Sequence, residues 1–159
     1  MQKEKKSKNK RTEALKHYLR GAKHWRKKAN YVSDQIIKLR SECEKMTSTF
    51  SNIPPTLDGY TDHRQQKYDE MIDKEREYEE CVRKCNERVE EIQRFIDKLY
   101  KYEEREACEL HYIYFEDWQT AALKMDFSVR RVLDFHGDAL LHLLEIHKEM
   151  VGKGEKPLF

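Results

Sequence analysis

Residues 117–143 read DWQTAALKMDFSVRRVLDFHGDALLHL, and the fold follows from this stretch. Trp118, Ala121, Ala122 and Met125 recur at spacings of three and four, which makes one apolar helical face. Asp117 stands immediately before that face, where an N-cap belongs. The pattern breaks at Asp126 and Phe127, and Ser128 is placed to cap a second helix. Val132, Phe135, Ala139 and Leu143 supply the inward face of that helix. Two capped helices joined by a turn of a few residues form a helix-turn-helix, the arrangement that sets a second helix into a DNA major groove.

Extending the stretch to residues 104–143 brings in Leu110, Tyr112 and Ile113. Together with Trp118, Ala121, Met125, Phe127, Ser128, Arg131, Val132, Phe135, His136, Gly137, Ala139 and Leu140, these positions resemble region 4 of bacterial sigma factors. The segment is closer still to the sigma-like helix-turn-helix of small phage late-transcription regulators of the ArpU/RinA type. The likeness covers about 40 residues; the rest of the chain is similar only in being helical. It implies a sequence-specific transcriptional regulator, phage or prophage encoded, that binds double-stranded DNA as a homodimer and also touches host RNA polymerase. Its place of action would be the bacterial host cytoplasm. Three departures concern the DNA-facing chemistry. Leu133, Asp134 and Asp138 are apolar or acidic where the pattern is basic or polar, Phe115 replaces a glycine, and His111 replaces an arginine.

Working outward, the 159 residues suffice for one ordinary domain or a small domain with an extension. Charged residues make up 39% and apolar ones 38%, with five Gly and three Pro. So many charges with so few breakers predict long solvated helices and an all-α fold. No apolar run reaches the roughly 20 residues of a membrane span. The Lys-rich start lacks the apolar segment of a secretory signal. Four cysteines in such a chain read as reduced thiols of a cytosolic protein. The net charge is +2, unevenly spread: residues 1–30 carry +10, residues 62–106 carry −4 and residues 107–149 another −4. The helix-turn-helix segment is therefore acidic, against the usual basic footprint of a DNA-binding module.

Residues 1–11, MQKEKKSKNKR, have no apolar side chain after Met1, so they are expected to form a disordered basic arm. From Thr12 a heptad seam begins: Leu15, Tyr18, Ala22, Trp25, Ala29, Val32, Ile36, Leu39, Cys43, Met46 and Phe50. A helix over this span would be about 58 Å long at ~1.5 Å per residue. Lys23, Arg26, Lys27 and Lys28 lie off the seam on a basic outer face. Residues 51–61, SNIPPTLDGYT, form the expected turn, since Pro54 and Pro55 cannot continue a helix. A second seam runs through Met71, Tyr78, Val82, Cys85, Val89, Ile92, Ile96 and Leu99. Residues 12–102 thus read as a long antiparallel coiled-coil hairpin, followed by a helix-turn-helix domain over 103–150 and a loose tail over 151–159. A two-helix hairpin leaves its seam partly uncovered, which favours dimerisation.

No glycine-rich phosphate loop, nucleophile elbow or metalloprotease motif occurs, so an enzyme is not expected, and neither is a cofactor. Cys81, Cys85, Cys108 and His111 have the donor chemistry for zinc. Both pairs, Cys81 with Cys85 and Cys108 with His111, lie within predicted helices rather than tight turns, and a thiol on a seam behaves as a small apolar residue. The binding residues are expected at the start of the second helix of the motif. Val129, Arg130 and Asp134 face outward with Arg131 to one side, and Ser128 lies at the helix N-terminus, where it can hold a phosphate. Arg130 or Arg131 can bond a guanine edge or a phosphate; Asp134 can accept from cytosine or repel phosphate. Lys23, Arg26, Lys27 and Lys28 would add phosphate contacts. The other reading is a protein-binding adaptor or inhibitor of a host transcription or defence complex, built on a helix-turn-helix whose DNA face has been lost. A purely structural coiled coil is a third.

Overall fold

A computed structural model describes the backbone of residues 2–49 and 58–159 and the side chains of residues 10–45 and 65–159. Every described element is helical, and no strand occurs among the described residues. In order these are α1 (Gln2–Leu19), α2 (Gly21–Thr49), α3 (Asp58–Ile96), α4 (Tyr102–Cys108), a π-helical turn (Glu109–Ile113), α5 (Trp118–Met125) and α6 (Val129–Gly152). No helix among the described residues is long and apolar enough to cross a membrane.

Four boundaries differ from the sequence reading. The first helix starts at Gln2, so residues 2–11 are helical and not a disordered arm. Lys, Glu and Gln are good helix formers even where nothing can be buried. The expected single helix is divided at Arg20, where Lys23 N–H bonds the Arg20 carbonyl at 3.1 Å, the tighter spacing of a turn. Gly21 follows the break, and an added Cβ there would stand 2.7 Å from Arg88 Nε. α3 ends at Ile96 and not at Tyr102. The expected turn at 51–61 lies outside the described residues as far as residue 57, and α3 already begins at Asp58.

The chain divides into two compact units, His24–Cys85 and the pair of segments Met1–Lys23 and Asn86–Phe159. This corrects the boundary expected near residue 102, because Leu15 to Ala22 and Ile92 to Leu99 share a core with the C-terminal helices. In the first unit α2 and α3 run in opposite directions. Lys28 pairs with Glu77 at 3.2 Å and Arg40 with Glu75 at 3.5 Å, while Glu42, further along α2, meets Lys67, earlier in α3. Ala29, Val32 and Cys43 of α2 and Cys81 of α3 are buried. Tyr78, expected on the seam, is 38% exposed, and Cys81 is inside instead. The surface ion pairs set register more than they stabilise.

The second unit has two apolar clusters. The larger joins Leu15, Tyr18, Leu19 and Ala22 to Ile92, Phe95, Ile96 and Leu99, then to Cys108, Tyr112, Ala139, Leu140 and Leu143. Each large aliphatic side chain fully buried there contributes about 1.5–3 kcal/mol. The smaller cluster, Ala107, Ala121, Ala122, Met125 and Val132, holds α4, α5 and α6 together. The alanines of this cluster let the three helices approach closely. The last residues are not loose. Gly154, at φ +89°, turns the chain back, Leu158 N–H donates to His147 Nε2 at 3.1 Å, and the Phe159 ring stacks on His147 at 4.1 Å.

Candidate nucleic-acid interface at the start of the last helix

The site is built from the two helix caps and the turn between them. Asp117 adopts an extended backbone, and its carboxylate accepts from Thr120 N–H at 2.8 Å, which starts α5. These bonds hold the Asp117 carboxyl below its ordinary range. α5 ends at Asp126, which is left-handed at φ 59° and ψ 39°. Phe127 N–H then reaches back to the Ala122 carbonyl at 3.1 Å, closing the helix end. Ser128 is extended again, and its hydroxyl accepts from Arg131 N–H at 3.2 Å to open α6. Aspartate tolerates the left-handed conformation better than most residues do, which suits it to this corner.

The rotation of α6 about its axis is set from within. Val132, Ala139 and Leu143 are fully buried. His136 stands over a ring cluster made by Tyr112 of the π-helical turn and Trp118 of α5. Tyr112 Oη and His136 Nε2 share a hydrogen bond at 2.8 Å, and the centroids of Trp118 and His136 are 4.7 Å apart. His111 stacks on Trp118 at 3.9 Å, and its Nδ1 donates to the Glu116 carbonyl at 2.9 Å. Burial, reinforced by the positive charges of His111, Lys16 and Arg20, pushes the His136 pKa down to about 4. Burial likewise lowers His111 and raises the Tyr112 hydroxyl. His136 is therefore neutral at pH 7.

With that face held inside, Ser128, Val129, Arg130, Arg131, Leu133 and Asp134 are exposed together on the first turns of α6. Arg130 has no partner among the described residues. Arg131 lies over the Phe135 ring, its guanidinium carbon 4.5 Å from the centroid, so its side chain is held along the helix. Lys23 belongs to the same unit as α6, while Arg26, Lys27 and Lys28 belong to the unit His24–Cys85. Arg26 and Lys27 are exposed, and Lys28 pairs with Glu77. Leu123 of α5, Phe127 of the turn and Leu133 of α6 are also exposed, at 82%, 45% and 43%.

Among the described residues no three His, Cys, Asp or Glu side chains converge on a metal position. Cys108 lies in the core, and burial pushes its thiol up to about 12, which keeps it protonated. Two features were not read from the sequence. Glu104 of α4 is buried at 1% exposure and ties α4 to α6. Its Oε2 accepts from His142 Nδ1 at 2.6 Å, and Lys101 Nζ stands 3.0 Å from its Oε1. Phe115 is left-handed at φ 61°, at the position where the resembled pattern carries glycine. That glycine departure was visible in the sequence, whereas nothing local announces the Glu104–His142 pair. No family model, curated protein or solved structure matches this chain.

Proposed function

We propose that the protein is a sequence-specific DNA-binding transcriptional regulator that docks the start of α6 in the major groove. In this reading α4 to α6 form a sigma-region-4-like helix-turn-helix, and α2 and α3 form an antiparallel coiled-coil hairpin that serves dimerisation. The observation that carries it is the corner from Asp126 to Ser128. A left-handed helix end is followed at once by a capped helix whose first two turns are exposed and carry Arg130 and Arg131. Arg130 would read a base edge, Arg131 and the α6 N-terminus would hold phosphates, and the cations of residues 2–28 would add salt-dependent affinity. Contact with RNA polymerase and a phage or prophage origin rest on the resemblance alone.

Selection of bound sequences from a random duplex DNA pool, with the full-length protein at physiological salt, tests this. A motif with two half-sites supports a dimeric reader, and Arg130→Ala should then weaken the preferred site more than random DNA. Absence of any motif removes the reading.

A second reading has its own observation. Leu123 of α5, Phe127 of the turn, and Val129 and Leu133 of α6 are exposed, as is Asp134. A mixed apolar and acidic face suits a protein partner better than a phosphate backbone, so the alternative is an adaptor or inhibitor acting on a host transcription or defence complex. Under that reading Asp134→Arg abolishes a protein complex; under the first it strengthens DNA binding.

A further inference from the structure

We propose that a groove between α1, the second half of α6 and the last residues of the chain binds a small amphipathic anion, an alkyl or aryl carboxylate. The cavity has a volume of about 680 Å³, inside the range of roughly 300–1,000 Å³ that small-molecule sites occupy. Its apolar surface comes from Ala14 of α1, Leu141, Leu144 and Val151 of α6, and Phe159. Lys10 and Arg11 of α1 and Lys148 of α6 also line it, with one acidic side chain, Glu145.

The groove is a made feature rather than a gap left by an unpacked tail. Gly154 reverses the chain, Leu158 N–H is bonded to His147 Nε2, and Phe159 is held between His147 and Tyr18, with a centroid distance of 5.8 Å to the tyrosine. One wall is therefore fixed by a hydrogen bond and two ring contacts. The apolar walls select a ligand with a hydrocarbon body. Lys10, Arg11 and Lys148 are exposed and form no ion pair among the described residues, so a carboxylate head would meet three cationic side chains against the single acidic one, Glu145. Charge complementarity thus favours an anion over a cation or a neutral alcohol with the same tail. None of these side chains belongs to the exposed start of α6, so the groove is separate from the proposed DNA-binding face.

The experiment titrates the full-length protein with sodium dodecanoate below its micellar range, followed by amide chemical shifts and calorimetry. Dodecyltrimethylammonium and dodecanol are the matched controls. The expected result is saturable binding of one dodecanoate, with shifts centred on Leu141, Val151 and Phe159, and no saturable binding of the ammonium. Lys10→Glu with Arg11→Glu should weaken dodecanoate about tenfold, from two reversed charges each worth part of a kcal/mol. Lys148→Glu provides an independent check on the opposite wall. Equal binding of the anionic and cationic probes, shifts centred elsewhere, or indifference to the charge reversals would each overturn the proposal. Sedimentation showing self-association that Leu141→Glu abolishes would overturn it too, by giving the groove to a second copy of the chain.

Discussion

Lowering the pH should destabilise the unit that contains α6 through one identifiable side chain, His136. Its pKa falls from the ordinary 6.5 to about 4 because it is buried and faces other positive groups. The fold prefers the neutral ring, so the unfolded chain takes up the proton first as the pH drops. The stabilising contribution is therefore complete above about pH 7 and is lost progressively as pH falls from 6.5 towards 4. A shift of this size corresponds to about 3 kcal/mol in total, of which about 2 kcal/mol is lost between pH 7 and pH 5. With a urea dependence of about 2 kcal/mol per molar, the unfolding midpoint should fall by roughly 1 M over that interval from this group alone. His111 and His147 are also lowered by burial, so the whole protein should lose more than this. The His136→Phe variant isolates the share. It keeps a ring against Trp118 but has nothing to protonate, and the Tyr112 hydroxyl loses its hydrogen-bond partner. The variant should be less stable than the parent at pH 7, yet its midpoint should depend on pH more shallowly by the stated amount. Far-ultraviolet circular dichroism in urea at pH 5, 6 and 7 measures both slopes. Parallel slopes, or a His136 ring titrating near 6.5 by NMR, would refute the burial argument.

Glu104→Ala should cost about 2–3 kcal/mol, because a charge-assisted bond between α4 and α6 is removed from a buried site. A loss of stability below about 0.5 kcal/mol would show that solvated His142 and Lys101 compensate. At Phe115 the usual order of alanine and glycine should invert. Both variants lose the ring's packing against the larger cluster, but only glycine escapes the cost of φ 61°, so Phe115→Gly should exceed Phe115→Ala in stability by about 1 kcal/mol. The Leu158 amide should exchange faster as pH falls below 6.5. Protonation of His147, whose pKa lies under the ordinary value, removes the acceptor that holds the returning chain. Exchange unaffected between pH 7 and pH 5, after correction for intrinsic rates, would show that stacking of Phe159 alone secures it.

The helical class and the positions of both caps were legible because each has a local cause. The spacing of Trp118, Ala121, Ala122 and Met125 allows one periodicity, and Asp117 and Ser128 stand where orphan amides need acceptors. The seam residues Leu15, Tyr18, Ala22, Ala29 and Val32 do turn inward. Their spacing could not say what covers them, since the same repeat serves a partner helix or a cluster of short ones. Leu15 to Ala22 are covered in part by Ala139, Leu140 and Leu143, more than a hundred residues along the chain. The helix over residues 2–11 has no apolar periodicity to announce it, because Lys, Glu and Gln favour helix without burial. The folded-back end escaped notice because its anchor is a histidine acceptor eleven residues away. Of the candidate site, the exposed residues at the start of α6 were legible from the helix period. The ring cluster that fixes their direction was not, because it draws on the π-helical turn, α5 and α6.

That ring cluster makes the chemistry of the exposed face separable from the stability of the fold. α6 cannot rotate to hide Leu133 and Asp134 without withdrawing Val132 and His136 from the core. The mixed apolar, basic and acidic surface is thus imposed by interior packing and carried by side chains that contribute little to it. Asp134 is exposed and does not belong to either apolar cluster. Replacing it with arginine therefore changes the sign of the face while leaving Tyr112, Trp118 and His136 in place. An unchanged unfolding midpoint with altered binding would assign Asp134 to partner choice. A lowered midpoint would mean that the carboxylate supports the helix, for instance by compensating Arg130 and Arg131 within the first turns. The departure from a basic face would then be structural in origin, and the acidic charge would say nothing about which partner the face meets.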